Sequence, residues 1–127
     1  MSVVGIGTDI VAIARMRSAL DRHGERFARR ILAPEELEEW RRRGETPGLL
    51  AKRFAAKEAA AKALGTGIAE GVTLKSITVA HDSLGKPRLA LAAGAVERAR
   101  ALGVVDTHLS LSDEREFAVA FVVLEGR

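Results

Sequence analysis

Residues 53–62 place four charged side chains within an alanine-rich run that has the composition of a helix. At about 100° per residue, Lys57 and Glu58 fall on either side of an apolar stripe, and Lys62 falls beside Glu58. Because burying an unpaired ion is costly, a carboxylate and two ammonium groups there favour a ligand that combines metal and phosphate. The alternative is an internal Glu58–Lys62 pair, worth about 0.3–0.5 kcal/mol at i,i+4.

A second carboxylate, Asp9, follows an apolar run that contains Gly5 and Gly7. Two carboxylates without a histidine or cysteine pattern suit a hard cation, and Mg²⁺ typically takes one or two protein carboxylates together with substrate phosphate oxygens. Nearby cations, among them Arg53, would neutralise charge on a diphosphate leaving group. These residues indicate phosphoryl chemistry, although their spacing gives no distance between Asp9 and Glu58.

The elements that must position these side chains follow from periodicity and turn residues. A strand that runs into a helix start is predicted over residues 3–13, with a helix over 12–22. A helix begins at Pro34 and ends before Gly44, with acidic residues early and arginines late, an order that matches the helix dipole. The alanine-rich helix is predicted over 49–64, with Gly65 as its natural end.

The second half of the chain is predicted to be richer in strands. A hairpin is expected from strands at 72–80 and 87–91, followed by a helix over 92–102 and two strands at 107–112 and 117–124. The last strand is apolar on both faces, so it should lie centrally or be covered by another subunit. The pattern predicts an α+β fold with a mostly antiparallel sheet packed against the long alanine-rich helix.

Composition bounds the class of protein. A chain of 127 residues with 47% hydrophobic and 29% charged residues predicts one globular domain over residues 1–127. No apolar stretch is long enough to span a bilayer, and no export signal is recognised, so no membrane association and a cytoplasmic location are expected. The absence of cysteine excludes disulfides and thiolate chemistry.

A net charge of +3 is compatible with nucleic acid, an acidic protein or a polyanionic small molecule as the partner. Aromatic residues make up only 4% and do not alternate with basic ones, which argues against nucleic acid. Arg15 and Arg22 share one side of the first helix, and Arg26 extends this basic edge if the helix continues. From the residues alone, a solvated helix face is the better interpretation of this edge.

Three segments together resemble a known family, and the resemblance spans residues 5–123. It is carried by Gly5-Ile6-Gly7-Thr8-Asp9-Ile10-Val11 with Arg15, by Phe54, Lys57, Glu58 and Lys62 followed by Gly65, Thr66 and Gly67, and by Gly85, Lys86 and Pro87. In this order they resemble the holo-[acyl-carrier-protein] synthases, small phosphopantetheinyl transferases of fatty acid biosynthesis. The resemblance implies the 4′-phosphopantetheinyl transferase fold and Mg²⁺-dependent transfer of 4′-phosphopantetheine from coenzyme A to a serine of apo acyl carrier protein, with release of adenosine 3′,5′-bisphosphate.

The resemblance also assigns roles to residues. Asp9 and Glu58 are implied as metal ligands and, with Lys62, as the catalytic residues, Lys62 acting on the diphosphate. It leaves open whether a metal-associated water or Glu58 takes the serine proton. The implied coenzyme A site comprises Arg53, Lys57, Lys62, Gly65, Thr66, Gly67, Gly85, Lys86, Pro87 and Ser112.

Two kinds of partner are implied in the same way. The family resemblance suggests a homotrimer with sites between subunits, and a basic edge of Arg15, Arg22 and Arg26, with Met16 as an apolar contact, facing an acidic carrier protein. One departure is Asp113, where many relatives have a histidine near the nucleotide phosphate, so Ser112 or an arginine is expected to act instead. The competing hypothesis is a non-catalytic basic module that binds an acidic protein or nucleic acid.

Overall fold

The computed structural model describes residues 1–127 and shows the predicted α+β architecture, with antiparallel strands packed against one long helix. The chain also forms a short 3-10 turn at Leu74–Ser76. None of the helices combines the length and the apolar character required to cross a bilayer. The elements are β1 (Ser2–Ala12), α1 (Ile13–His23), α2 (Glu25–Ile31), α3 (Pro34–Arg42), α4 (Pro47–Ala63), β2 (Ile77–His81), β3 (Pro87–Leu91), α5 (Ala93–Leu102), β4 (Val104–Asp113) and β5 (Phe117–Gly126).

The strands form a three-stranded antiparallel sheet in the order β1-β5-β4 and a separate β2-β3 hairpin. The last strand is therefore central, as its two apolar faces predict. One of those faces is buried, since Ala118, Ala120 and Val122 have no exposed surface. On the opposite face Phe121 keeps 46% of its surface exposed. The sheet thus presents an uncovered apolar face in the single chain.

Helix α4 packs on the buried face of this sheet at unusually close range. A side chain carbon added to Gly7 in β1 would overlap the carbonyl oxygen of Ala59 and lie 2.8 Å from the amide nitrogen of Ala63. The helix contributes alanines here, so that strand backbone and helix backbone are in direct contact. This contact brings the part of β1 that holds Asp9 next to the middle of α4, which holds Glu58.

Both ends of α4 are closed by specific hydrogen bonds. At the start, Thr46 accepts a hydrogen bond from the amide of Leu49 at 3.2 Å, and Pro47 occupies the first turn. The helix therefore begins two residues before the predicted start at residue 49, because Pro47 initiates the helix instead of breaking it. At the other end Arg98 Nε donates to the carbonyl of Leu64 at 2.8 Å.

Two further differences from the sequence-based expectations have local causes. The first helix ends at His23, because Gly24 adopts φ 60° and ψ −151°, and a separate helix α2 carries Arg26. The basic edge is therefore divided between two helices. The strand expected over 72–80 begins only at Ile77, because Thr73 and Ser76 exchange side-chain and backbone hydrogen bonds and form a 3-10 turn.

Candidate active site

Asp9, Glu58 and Lys62 meet where β1 crosses α4. The ammonium of Lys62 donates to Asp9 Oδ1 and to the carbonyl oxygen of Thr8, each at 3.0 Å. The side chain of Asp9 is 16% exposed and that of Lys62 is 50% exposed, so the group opens to solvent. The structure thus brings together the three residues for which the family resemblance implies a catalytic role.

Glu58 interacts electrostatically with the charged side chains around it. Partial burial, and then the charge of Asp9, raise the pKa of Glu58 above its usual value of 4.5, while Lys62 and Arg15 act in the opposite direction. Two carboxylates that repel each other offer hard oxygen donors, and a divalent cation between them would relieve that repulsion. The pair therefore suits a cation such as Mg²⁺.

Arg15 borders this group. Its guanidinium carbon lies 5.7 Å from the centre of the Phe54 ring, a cation–π arrangement, and its charge acts on Glu58. Arg15 is exposed on α1, so a charge that acts on Glu58 is also accessible from solvent. Arg22 and Arg26 are exposed as well, as a docking role requires.

Two residues assigned to the coenzyme A site point into the protein instead. Lys57 has no exposed surface, and its ammonium donates to Glu36 Oε1 at 2.6 Å and to the carbonyls of Leu74 and Ile77. All three ammonium hydrogens are used, which corrects the expectation that Lys57 contacts coenzyme A. Arg53 is only 3% exposed and pairs with Glu39 at 3.0 Å, so the structure places it in the interior as well.

Met16 is also corrected by the structure. It was expected as an apolar contact for the carrier protein, yet it is 1% exposed and belongs to the hydrophobic core. The helical spacing from Arg15 is the reason, because neighbouring residues on a helix point about 100° apart and α1 packs one side on α4.

The glycine-containing loops lie at two places. Gly65, Thr66 and Gly67 close the end of α4, with positive φ angles of 82° and 63° at the two glycines. The turn that holds Gly85, Lys86 and Pro87 joins β2 to β3, and Gly85 there has φ 87°. Asp82 fixes this turn because its Oδ1 accepts from the amides of Leu84 and Lys86, each at 2.9 Å.

Three depressions lie near these residues. One of about 360 Å³ is lined by Ile6, Gly7, Thr8, Lys62 and Phe121. A second, of about 250 Å³, contains Ser112 together with Ile10, Asp113 and Phe117. A third, of about 100 Å³, contains Lys86 and Pro87 beside β4. In the single chain, the turn after β2 therefore lines a different depression from Lys62.

Sequence reasoning missed several charged contacts. Asp113, where the family resemblance implies a histidine, lies 3.6 Å from Lys52. His108 Nε2 lies 2.6 Å from Glu125 Oε1, within hydrogen-bonding distance, and 3.9 Å from Asp106 Oδ2. Asp106 stands opposite Glu125 across β4 and β5, a register that the sequence did not give.

Comparison with known proteins identifies the family. The sequence profile of the 4′-phosphopantetheinyl transferase superfamily matches residues 5–122. The holo-[acyl-carrier-protein] synthase of Halorhodospira halophila is 62% identical over 122 residues, 96% of this chain and 97% of that protein. The protein of the same name from Vibrio cholerae is 56% identical over 125 residues, 98% of this chain and 99% of that protein.

Solved structures agree with this comparison. The holo-[acyl-carrier-protein] synthase from Neisseria meningitidis superposes with a TM-score of 0.91 at 45% identity, covering 98% of this chain and 99% of that one. The Helicobacter pylori protein, solved with coenzyme A, gives a TM-score of 0.83 at 30% identity, covering 94% and 99%. The chain therefore belongs to the 4′-phosphopantetheinyl transferase superfamily and, within it, to the holo-[acyl-carrier-protein] synthases.

Proposed function

We propose that this chain transfers 4′-phosphopantetheine from coenzyme A to a serine of apo acyl carrier protein, releasing adenosine 3′,5′-bisphosphate. The observation that carries the proposal is the meeting of Asp9, Glu58 and Lys62 in a solvent-accessible group on a family fold. A relative with this fold was solved with coenzyme A, which supports coenzyme A as the donor. The product would serve fatty acid biosynthesis in the cytoplasm.

Asp9 and Glu58 are the residues that would hold Mg²⁺. Their oxygen donors and mutual repulsion fit a hard divalent cation. When bound, the metal would supply charge neutralisation at a coenzyme A diphosphate. The half-exposed ammonium of Lys62 would bind the same diphosphate and stabilise negative charge as the leaving group departs.

The rest of the donor site would be formed by loops and strand ends. Gly65, Thr66 and Gly67 allow close approach at the end of α4, while Lys86 adds a positive charge at the turn after β2. Ser112 lines the depression next to Ile10, one residue from Asp9. Arg53 and Lys57 are not included, because their side chains are buried in internal ion pairs.

A homotrimer would complete the site. The sheet face opposite α4 exposes Ile6 (62%), Ile10 (63%), Phe117 (39%) and Phe121 (46%). Adjacent exposed apolar side chains of this size are typical of protein–protein interfaces. Since the depression at Lys62 includes Ile6 and Phe121, a neighbouring copy on this face would border Lys62 directly. This supports sites that lie between subunits.

The exposed arginines favour an acidic acceptor protein. Arg15, Arg22 and Arg26 would contact the carrier protein, and Arg15 would lie nearest the transferred group because its charge acts on Glu58. Complementary charge would speed this association and make it sensitive to salt.

Mass spectrometry of the acceptor tests the proposal. Purified chain is incubated with coenzyme A, Mg²⁺ and apo carrier protein, and the carrier is expected to gain one phosphopantetheine group on its serine. A carrier of unchanged mass would refute the transferase. Magnesium-independent, salt-sensitive binding of duplex DNA in its place would favour the alternative of a basic binding module.

A further inference from the structure

Glu36 in α3 and Lys57 in α4 form an ion pair in the interior of the protein. Their side chains are 1% and 0% exposed, and their charged atoms lie 2.6 Å apart. Each group has further partners, all from the backbone. Lys57 donates to the carbonyls of Leu74 and Ile77, and Glu36 accepts from the amides of Ala33 and Val79. The pair therefore ties α4 to the start of α3, to the 3-10 turn and to β2.

Stability alone is a weak reason for such a pair. Replacing a buried ion pair by well-packed apolar side chains is often neutral or stabilising, whereas a pair can specify one arrangement among several. Burial lowers the pKa of Lys57 while Glu36 raises it, so the pair forms against a desolvation cost. A requirement for one particular orientation of α4 would explain why the Glu36–Lys57 pair is present despite this cost.

The packing of α4 on β1 explains why an orientation must be specified. Helix α4 meets the strand with alanines, and Gly5 and Gly7 let the two backbones approach directly. Small side chains allow a short distance between two elements, but they form only shallow ridges, which interlock little and so do little to fix the rotation of the helix about its axis. The direct contact with β1 therefore needs a separate determinant of rotation.

Lys57 is placed to provide this determinant. It precedes Glu58 by one residue, so the two side chains leave the helix about 100° apart. The Lys57 side chain is anchored toward Glu36 and β2, while Glu58 is directed toward the side that Asp9 and Lys62 occupy. Fixing the first side chain thus fixes the direction of the second.

We propose that Glu36 and Lys57 are positioning residues that set the rotation of α4 and thereby hold Glu58 beside Asp9. For its catalytic consequence, this inference rests on the proposed metal site. Residues that orient metal ligands commonly change metal affinity or activity by about 10–100-fold when they are mutated. An effect in that range is expected although neither residue would touch the metal.

Metal affinity of the folded protein provides the test. Binding of Mn²⁺ is measured by electron paramagnetic resonance for the wild type, Glu36→Gln and Lys57→Met, at a temperature at which circular dichroism shows each protein folded. Two controls accompany them. Glu35→Gln makes the same change at an exposed neighbour, and Val72→Ala removes buried apolar volume outside α4.

The expected result is a Mn²⁺ dissociation constant about 10–100-fold higher in both pair variants and unchanged in both controls. Unchanged affinity in a folded pair variant, or an equal loss in Val72→Ala, would overturn the proposal, because the pair would then act on stability alone. A wild type that binds no Mn²⁺ would instead count against the proposed metal site. In that case a crystal structure of Glu36→Gln tests the positioning role. A Glu58 carboxylate that stays beside Asp9 would overturn this role, and a displaced carboxylate would support it.

Discussion

Replacing Gly7 by alanine tests the backbone contact on which the site depends. The added methyl group would overlap the carbonyl oxygen of Ala59 and lie 2.8 Å from the amide of Ala63, whereas ordinary contacts of this kind are 3.4–4 Å. Both obstacles are backbone atoms of α4, so no side chain can rotate away. To relieve the overlap with the Ala59 oxygen, the strand must move from the helix by more than about 1 Å, which would also move Asp9 away from Glu58.

The expected cost can be estimated from related substitutions. Overpacking a core typically costs about 1–3 kcal/mol, and we expect the upper end, about 3 kcal/mol, because two regular elements must separate. Alanine also lowers the conformational entropy of the unfolded chain, which would stabilise the folded protein by about 0.4–1 kcal/mol. The net loss of roughly 2 kcal/mol corresponds to a fall in Tm on the order of 5–10 °C for a chain of this size.

Chemical denaturation of Gly7→Ala and of a matched control, Gly48→Ala, measures this difference. A side chain carbon at Gly48 would meet only Ile13 Cδ1, at 4.0 Å. Because Gly48 lies in the first turn of α4, alanine there should leave stability unchanged or raise it by up to about 1 kcal/mol. A Gly7→Ala protein as stable as the wild type would refute the close packing of β1 on α4.

Three further predictions follow from the site. Asp82→Ala removes the hydrogen-bond acceptor that fixes the turn holding Lys86, so KM for coenzyme A should rise several-fold with kcat little changed. An unchanged KM would show that this turn does not contribute to the coenzyme A site. The pKa of Glu58 is raised, so its side chain becomes protonated at a higher pH than that of an ordinary glutamate. Mn²⁺ affinity should therefore fall as the pH drops toward that raised pKa, while the contribution of Glu58 to folding stability becomes more favourable. Calorimetric titrations that show no pH dependence of Mn²⁺ binding would contradict the assignment of Glu58 as a metal ligand. Phe121→Asp should convert the proposed trimer into monomers in analytical ultracentrifugation, because it places a charge on the exposed apolar face, and a variant that is still trimeric would show that the interface lies elsewhere.

That Asp9, Glu58 and Lys62 lie close together could be anticipated from the sequence, because each stands in an element that the pattern predicts. Asp9 in a strand and Glu58 and Lys62 in a helix are local features, and the family resemblance connects them. The central position of the last strand was predictable for a similar reason, since a strand that is apolar on both faces requires two covered faces or a partner.

The direction of individual side chains could not be predicted in the same way. Helical periodicity gives the angle between Lys57 and Glu58 but not which side of the helix is covered, and α4 is covered on nearly every side. Lys57 was therefore assigned to a ligand although it pairs with Glu36. The glutamates of α3 were interpreted only through the helix dipole, because nothing local distinguishes Glu36 from its exposed neighbour Glu35.

The distances between loops also depend on contacts remote in sequence. The ends of the hairpin and of α4 were recognised from their glycines, but their placement relative to Asp9 follows from how the two sheets pack and, in our proposal, from a second subunit. The break at Gly24 separates Arg26 from the helix of Arg22 through one backbone conformation that the arginine spacing does not reveal.

The central claim is that Asp9, Glu58 and Lys62 form a site of phosphopantetheine transfer. Its most direct measurement is the mass of apo carrier protein after incubation with coenzyme A and Mg²⁺, with wild type and Glu58→Gln compared side by side under conditions in which both are folded. The account predicts complete modification by the wild type and a rate at least about 100-fold lower for the variant, because mutating residues that only orient metal ligands already costs about 10–100-fold. Equal rates for the two proteins, or no modification by the wild type, would contradict it.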